Sequence, residues 1–228
     1  MQYQLKNIIR ILCVLFLSAS CGDNENAATT TEKNPEAQTA DTTRKSKRTI
    51  IFYGNSLTAG YGLDPSEAFP ALIQKKIDSM DLDYKVINAG VSGETSSGGN
   101  SRIDWILRQP VDVFVLELGG NDGLRGIPVS ETRKNLQLII DKVIAKYPDA
   151  KLVLAGMQIP PNMGQTYASE FRALYPELAK KNNMIFIPFL LEGVGGEVKF
   201  NQEDGIHPTA EGHEIVAENV WRELEEVL

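Results

Sequence analysis

Residues 49–62 read Thr49-Ile-Ile-Phe-Tyr-Gly54-Asn-Ser-Leu-Thr-Ala-Gly60-Tyr-Gly62. The first half is a short apolar run, the pattern of a buried strand. The second half is small, polar and glycine-rich. A strand that ends in Gly-x-Ser can present one hydroxyl at the carboxyl edge of a sheet. Ligands bind at that edge in open α/β folds. If Ser56 opens a helix, the unpaired N–H groups beside it can stabilise an oxyanion. Ser56 reads equally well as a plain helix N-cap, so the rest of the chain has to decide.

Strand-like runs recur at Tyr84–Asn88, Val111–Leu118, Lys151–Ala155 and Met184–Pro188. Helical patterns lie between them, near Phe69–Met80, Ser101–Arg108, Ser130–Tyr147, Tyr167–Asn182 and Thr209–Val227. Near-continuous apolar strands alternating with helices imply a parallel sheet covered on both faces. Five such strands predict a three-layer α/β/α sandwich of flavodoxin-like type, with strand order 2-1-3-4-5. The loops after the first three strands, Gly54–Gly62, Ala89–Gly99 and Gly119–Gly126, then converge on one edge. All three are rich in Gly, Ser, Asn and Asp, which singly is ordinary turn chemistry.

The chain has 228 residues, 42% hydrophobic and 23% charged, as expected of one globular domain with a real core. Its net charge of -7 and the lack of a long basic run argue against a nucleic-acid partner. The amino-terminal segment has the pattern of a targeting signal. Lys6 and Arg10 precede the apolar stretch Ile11–Leu17, and Ser18-Ala19-Ser20 then leads into Cys21. This pattern resembles a bacterial lipoprotein signal cut before Cys21, with Leu17 one place earlier than such signals carry it. An ordinary secretory signal, cut at the small residues, is the alternative.

Residues 22–48 hold almost no large apolar side chain and cannot bury enough surface to fold. They read as a solvated tether that spans about 30 Å root-mean-square as a flexible coil. The expected organisation is therefore a signal over 1–20, a lipid-anchored tether over 21–48 and one domain over 49–228. That places the domain outside the cytoplasm, at a membrane. The only cysteine besides Cys21 is Cys13, within the signal, so the mature domain is expected to have neither disulfide nor thiolate metal site. A monomer is expected, since strands and amphipathic helices account for the apolar runs.

A serine nucleophile needs a base within hydrogen-bond reach, and the base needs an orienting group. The chain has two histidines, His207 and His213. In Asp204-Gly-Ile-His207-Pro208, a turn through Gly205 can bring the carboxylate to imidazole Nδ1 and leave Nε2 for Ser56. Asp204 could instead cap the last helix, or with His207 supply two ligands of a metal, although no third suggests itself. His213 lies within that helix and reads as a partly exposed residue. For an oxyanion, Gly93 permits close backbone approach, and Asn121 offers a side-chain amide at the end of the third strand. Each has a plain reading as a turn residue.

Four ordered blocks, Gly54-Asn-Ser-Leu57, Gly90-Val-Ser-Gly-Glu-Thr95, Gly119-Gly-Asn-Asp122 and Asp204-Gly-Ile-His207, together resemble the SGNH or GDSL hydrolases. The resemblance runs from Thr49 to Leu228. Val115–Gly126, Met157-Gln-Ile-Pro-Pro161 and Tyr175-Pro-Glu-Leu-Ala179 are similar to the multifunctional acyl-CoA thioesterase/lysophospholipase/arylesterase type. The resemblance implies Ser56 as nucleophile, His207 as base and Asp204 as its orienter. It also implies an oxyanion hole from Ser56 N–H, Gly93 N–H and the Asn121 amide, with neither metal nor cofactor. Leu124, Ile127, Pro128, Pro160, Pro161 and Met163 would line the rims of the site, which suits an ester or lipid substrate. The family's usual Asp before the serine is Asn55 here, which keeps one acceptor oxygen but no charge. A carbohydrate acetylesterase and a non-catalytic binding lipoprotein are the competing expectations.

Overall fold

The computed structural model describes residues 47–228. The expected signal, Cys21 and all of the tether but Lys47 and Arg48 lie outside the described residues. The domain is built on five parallel strands: β1 (Arg48–Gly54), β2 (Tyr84–Asn88), β3 (Val113–Glu117), β4 (Lys151–Ala155) and β5 (Ile185–Ile187). Their order in the sheet is β2-β1-β3-β4-β5, as the alternation of strands and helices implies.

The helices are α1 (Ser56–Ala59), α2 (Phe69–Ser79), α3 (Ser96–Ile106), α4 (Gly120–Leu124), α5 (Val129–Lys146), α6 (Gln165–Lys181) and α7 (Ala210–Leu224). The side chains of β1 separate the two outer layers. Phe52 meets Phe69 of α2 edge to face, with ring centroids 5.4 Å apart. Its neighbour Tyr53 points the other way, donating to Gly99 O of α3 at 2.6 Å. Alternate strand residues face opposite sides, so Ile50, Ile51, Phe52 and Tyr53 are all fully buried. α7 packs beside α2, while α5 packs between α3 and α6. This is the arrangement that right-handed crossovers impose on such a strand order.

The structure departs from the sequence reading at several boundaries. α3 begins at Ser96, five residues before the predicted start, because Thr95 caps it by accepting from Gly98 N at 3.3 Å. Ser-Ser-Gly-Gly-Asn reads as a loop, yet all five residues are helical, with Gly99 packed close against the Leu118 side chain. A Cβ would run into Leu118. The third edge loop also contains helical residues, those of α4. The edge strand β5 is shorter than expected. α7 stops at Leu224 and gives way to a 3-10 turn over Glu225–Val227.

Candidate active site

Ser56 is the first residue of α1 and is buried. The cap of that helix is Asn55, whose Oδ1 accepts from Leu57 N at 2.9 Å. The alternative reading of Ser56 as the cap is thereby excluded, and its hydroxyl is free for other partners. The Ser56 hydroxyl lies 2.9 Å from His207 Nε2. His207 Nδ1 lies 2.6 Å from Asp204 Oδ2.

The base and its orienter form a local unit. Asp204 Oδ1 accepts from the backbone N–H groups of Ile206 and His207, each at 3.0 Å. Gly205 takes φ +73°, a left-handed conformation that costs a glycine little. The hydrogen bond from His207 and the two backbone donors hold the Asp204 carboxyl down at about 2. An ionised Asp204 requires the proton of neutral His207 to sit on Nδ1, which leaves Nε2 as an acceptor for the serine hydroxyl. Asp204 does not cap α7; Thr209 does, accepting from Gly212 N at 3.2 Å.

Tyr61 covers one side of His207, with ring centroids 4.6 Å apart. Gln202 ties the two loops together. Its Nε2 donates to Tyr61 O at 2.7 Å and to Pro208 O at 2.9 Å, and its backbone N–H donates to His207 O at 2.7 Å.

His213 is buried rather than partly exposed. Its Nδ1 accepts from Phe69 N at 3.2 Å at the start of α2, and the ring stacks on Phe69. Burial, and next the charge of nearby His207, push its pKa down to about 4. Its role is to close the α2–α7 contact.

The β2–α3 loop lies directly on the nucleophile turn. A side chain at Gly90 would collide with the Ala59 backbone, and Val91 N donates to Gly54 O at 3.0 Å. Gly93 follows in the same loop, at φ +78°. Arg125 donates to Gly93 O at 3.0 Å. Asn121 Nδ2 donates to Glu94 O at 3.0 Å, leaving its second amide hydrogen for another acceptor. Arg102 grips Glu94 with two parallel bonds, at 2.6 and 2.5 Å, and also donates to Ala89 O at 2.8 Å.

Two buried carboxyl groups complete the frame, and neither was singled out from sequence. Asp122 accepts from Ser96 N at 2.8 Å, from the Ser96 hydroxyl and from Thr132 Oγ1 at 3.3 Å. It joins α4 to the start of α3. Glu117 accepts from Asn55 N, Asn55 Nδ2 and Thr58 Oγ1 at 3.0, 2.6 and 2.8 Å. Burial outweighs these donors and raises its pKa to about 7. Its signal was available: Glu117 interrupts an otherwise apolar strand.

A cavity of about 400 Å³ opens from the serine. Ser56 and Asn121 lie on its polar side, and Leu124, Met157, Phe189 and Leu191 on its apolar side. Of the expected rim residues, Leu124 and Pro160 line it. Ile127, Pro128 and Met163 do not. Ile127 is drawn into loop anchoring, its carbonyl accepting from Tyr167 at 2.6 Å. Met163 belongs to the 3-10 turn Pro161–Met163, and the Pro161 side chain lies outside what is described.

Residues 52–215 match the GDSL-like Lipase/Acylhydrolase family. The chain belongs to this family. It is 39% identical over 188 residues to Esterase TesA of Pseudomonas aeruginosa, covering 82% of this chain and 92% of that protein. It is 38% identical over 178 residues to Thioesterase 1/protease 1/lysophospholipase L1 of Escherichia coli, covering 78% and 83% respectively. A crystal structure of TesA superposes with a TM-score of 0.76 at 40% identity, over 79% of this chain and all of that one. The protein is thus a GDSL-type ester hydrolase, and Asn55 stands where the family's Gly-Asp-Ser-Leu motif has its acid.

Proposed function

We propose that this GDSL hydrolase cleaves carboxylic esters or thioesters by a Ser56–His207–Asp204 triad through an acyl-enzyme. The observation that carries this reading is the unbroken chain from Ser56 Oγ to His207 Nε2 at 2.9 Å and from Nδ1 to Asp204 at 2.6 Å. Ser56 Oγ attacks the substrate carbonyl carbon while His207 Nε2 takes its proton. The oxyanion is stabilised by the N–H groups of Ser56 and Gly93 and by the Asn121 amide. As the intermediate collapses, the bond to the alcohol or thiol breaks and His207 protonates the leaving atom. Water then attacks the acyl-enzyme, losing a proton to His207; the bond from Ser56 Oγ to the acyl carbon breaks, His207 returns that proton to Oγ, and the acid departs. Asp204 keeps the imidazole oriented and stabilises its cationic form.

The apolar wall of the cavity supports an acyl group longer than acetyl, in the manner of arylesters or lysophospholipids, over an acetylated sugar. Hydrolysis of p-nitrophenyl esters by the wild type, Ser56→Ala and His207→Ala tests the reading. Each variant should lose at least about 10⁴-fold in kcat, and a fluorophosphonate should label the wild type at Ser56. A folded wild type that is neither labelled nor active would leave the fold as a binding module. The amino-terminal sequence supports an anchored, extracytoplasmic enzyme. Mass spectrometry of the mature amino terminus would detect lipid on Cys21, and Cys21→Ser should release the protein from membranes.

A further inference from the structure

Glu117 is a buried carboxyl group that ester hydrolysis does not consume. It ends β3, paired in register with Gly54, and its partners are all on the nucleophile turn. Oε1 accepts from Asn55 Nδ2 at 2.6 Å. Oε2 accepts from Asn55 N at 3.0 Å and Thr58 Oγ1 at 2.8 Å. The orientation of the Asn55 amide follows from its other end. Leu57 N–H is a donor, so Oδ1 must face it at 2.9 Å, and Nδ2 must face Glu117. The same Oδ1 is 3.4 Å from Ser56 Oγ. A side chain at Gly54 would run into Thr58 and the Glu117 carboxyl, so the cluster is closed on that side.

Among the described residues no cation is hydrogen-bonded to Glu117. Arg102 of α3 reaches Gly54 O at 3.5 Å but is committed to Glu94. Tyr175 of α6 donates to Leu118 O at 3.1 Å. It feels the charges of Glu117 and Asp122, and burial holds it protonated. His207 stands beyond Asn55 and Ser56. The negative charge of Glu117 is therefore carried by neutral donors, two of them from Asn55.

We propose that Asn55 is a positioning residue matched to Glu117. Its amide lets the buried carboxylate ionise in place, so the turn bearing Ser56 stays assembled at alkaline pH without a shared proton. An aspartate at position 55 would set two carboxyl oxygens against each other across the 2.6 Å now spanned by Nδ2 and Oε1. Two carboxylates that close cannot both ionise. One proton has to be held between them, and the pair titrates as a unit. Loss of that proton would drive the end of β3 and the nucleophile turn apart.

Exchanging the roles of the two residues tests this. In Asn55→Asp/Glu117→Gln, the introduced glutamine amide can donate to the introduced aspartate. Its carbonyl can still accept from the residue 55 N–H and from Thr58. The full chain, Asn55→Asp and the double variant would be compared for melting temperature and p-nitrophenyl ester kinetics, from about pH 6 to about pH 10. Asn55→Asp should lose about tenfold in kcat per pH unit above its new pKa, with KM held. Its melting temperature should fall over the same range. Both alkaline losses should disappear in the double variant. A wild-type profile in Asn55→Asp, or the same losses in the double variant, would overturn the proposal. If Asn55→Asp does not fold, recovery of the fold in the double variant supports the proposal, and failure to recover overturns it. The kinetic arm rests on Ser56 being the nucleophile. The melting arm does not, so failure of the esterase reading would leave it decisive.

Discussion

Gln202 Nε2 donates to Tyr61 O across 2.7 Å, joining residues 141 positions apart. The bond fastens the loop that follows the nucleophile helix to the loop that carries the base. The same side chain holds Pro208 O, and its backbone N–H holds His207 O. Removing it frees the base loop to drift while the serine stays in place. Misplacement by about 1 Å costs on the order of 10²-fold in rate. Gln202→Ala should therefore lower kcat by roughly 10- to 100-fold and leave KM nearly unchanged. An unaltered kcat in folded protein would show that Tyr61 and the Asp204 turn position His207 unaided.

The oxyanion donors invite a similar test. Asn121→Ala removes one donor and should cost about 3 kcal/mol of transition-state stabilisation, or roughly 10²-fold in kcat. It also removes the bond to Glu94 O, but the Arg102–Glu94 pair and the Arg125 bond to Gly93 O remain to hold the loop. Binding of the ground-state ester should change little. A variant that raises KM with kcat intact would assign Asn121 to substrate binding instead.

Stability should carry two opposed pH dependences. Glu117 has its pKa raised from 4.5 to about 7 by burial. Between those values the folded protein holds a proton that the unfolded chain has lost, so stability falls as pH rises through that window. His213 has its pKa lowered from 6.5 to about 4. Between those values the unfolded chain holds the extra proton, so stability rises with pH. Each effect is of order 3 kcal/mol, and they largely cancel where the windows overlap. Urea unfolding of Glu117→Gln should show stability rising from about pH 4 to about pH 6.5. His213→Asn should show it falling from about pH 4.5 to about pH 7. Parallel curves for the two variants would contradict both assignments.

The cavity makes a prediction about acyl length. Its apolar side is formed by Leu57, Leu124, Met157, Ile159, Phe189 and Leu191. A buried methylene contributes about 0.8 kcal/mol. Across p-nitrophenyl esters, kcat/KM should rise by about fourfold per added CH₂ until the cavity is full, then level off. A maximum at acetate would instead favour the acetylesterase reading.

Much of this molecule is legible in its sequence because the signals involved are local. Apolar runs at strand length, set between amphipathic stretches, determined five parallel strands with helices on both faces. The Asp204–His207 turn was readable because a carboxylate three residues from an imidazole needs only Gly205 to reach it. Ser56 was readable as a residue at a strand end. The tertiary structure alone decided what those residues rest on. Glu117 meets Asn55 across 62 positions, and Gln202 meets Tyr61 only because two loops end on the same sheet edge. His213 reads as a surface helix residue until α2 is packed against α7, where it accepts from Phe69 N. The start of α3 is held by Asp122, which accepts from Ser96 N across 26 positions. Periodicity and capping act over a few residues and survive in the sequence. The partners of a buried polar group are set by how separate strands end in space, and no local pattern records that.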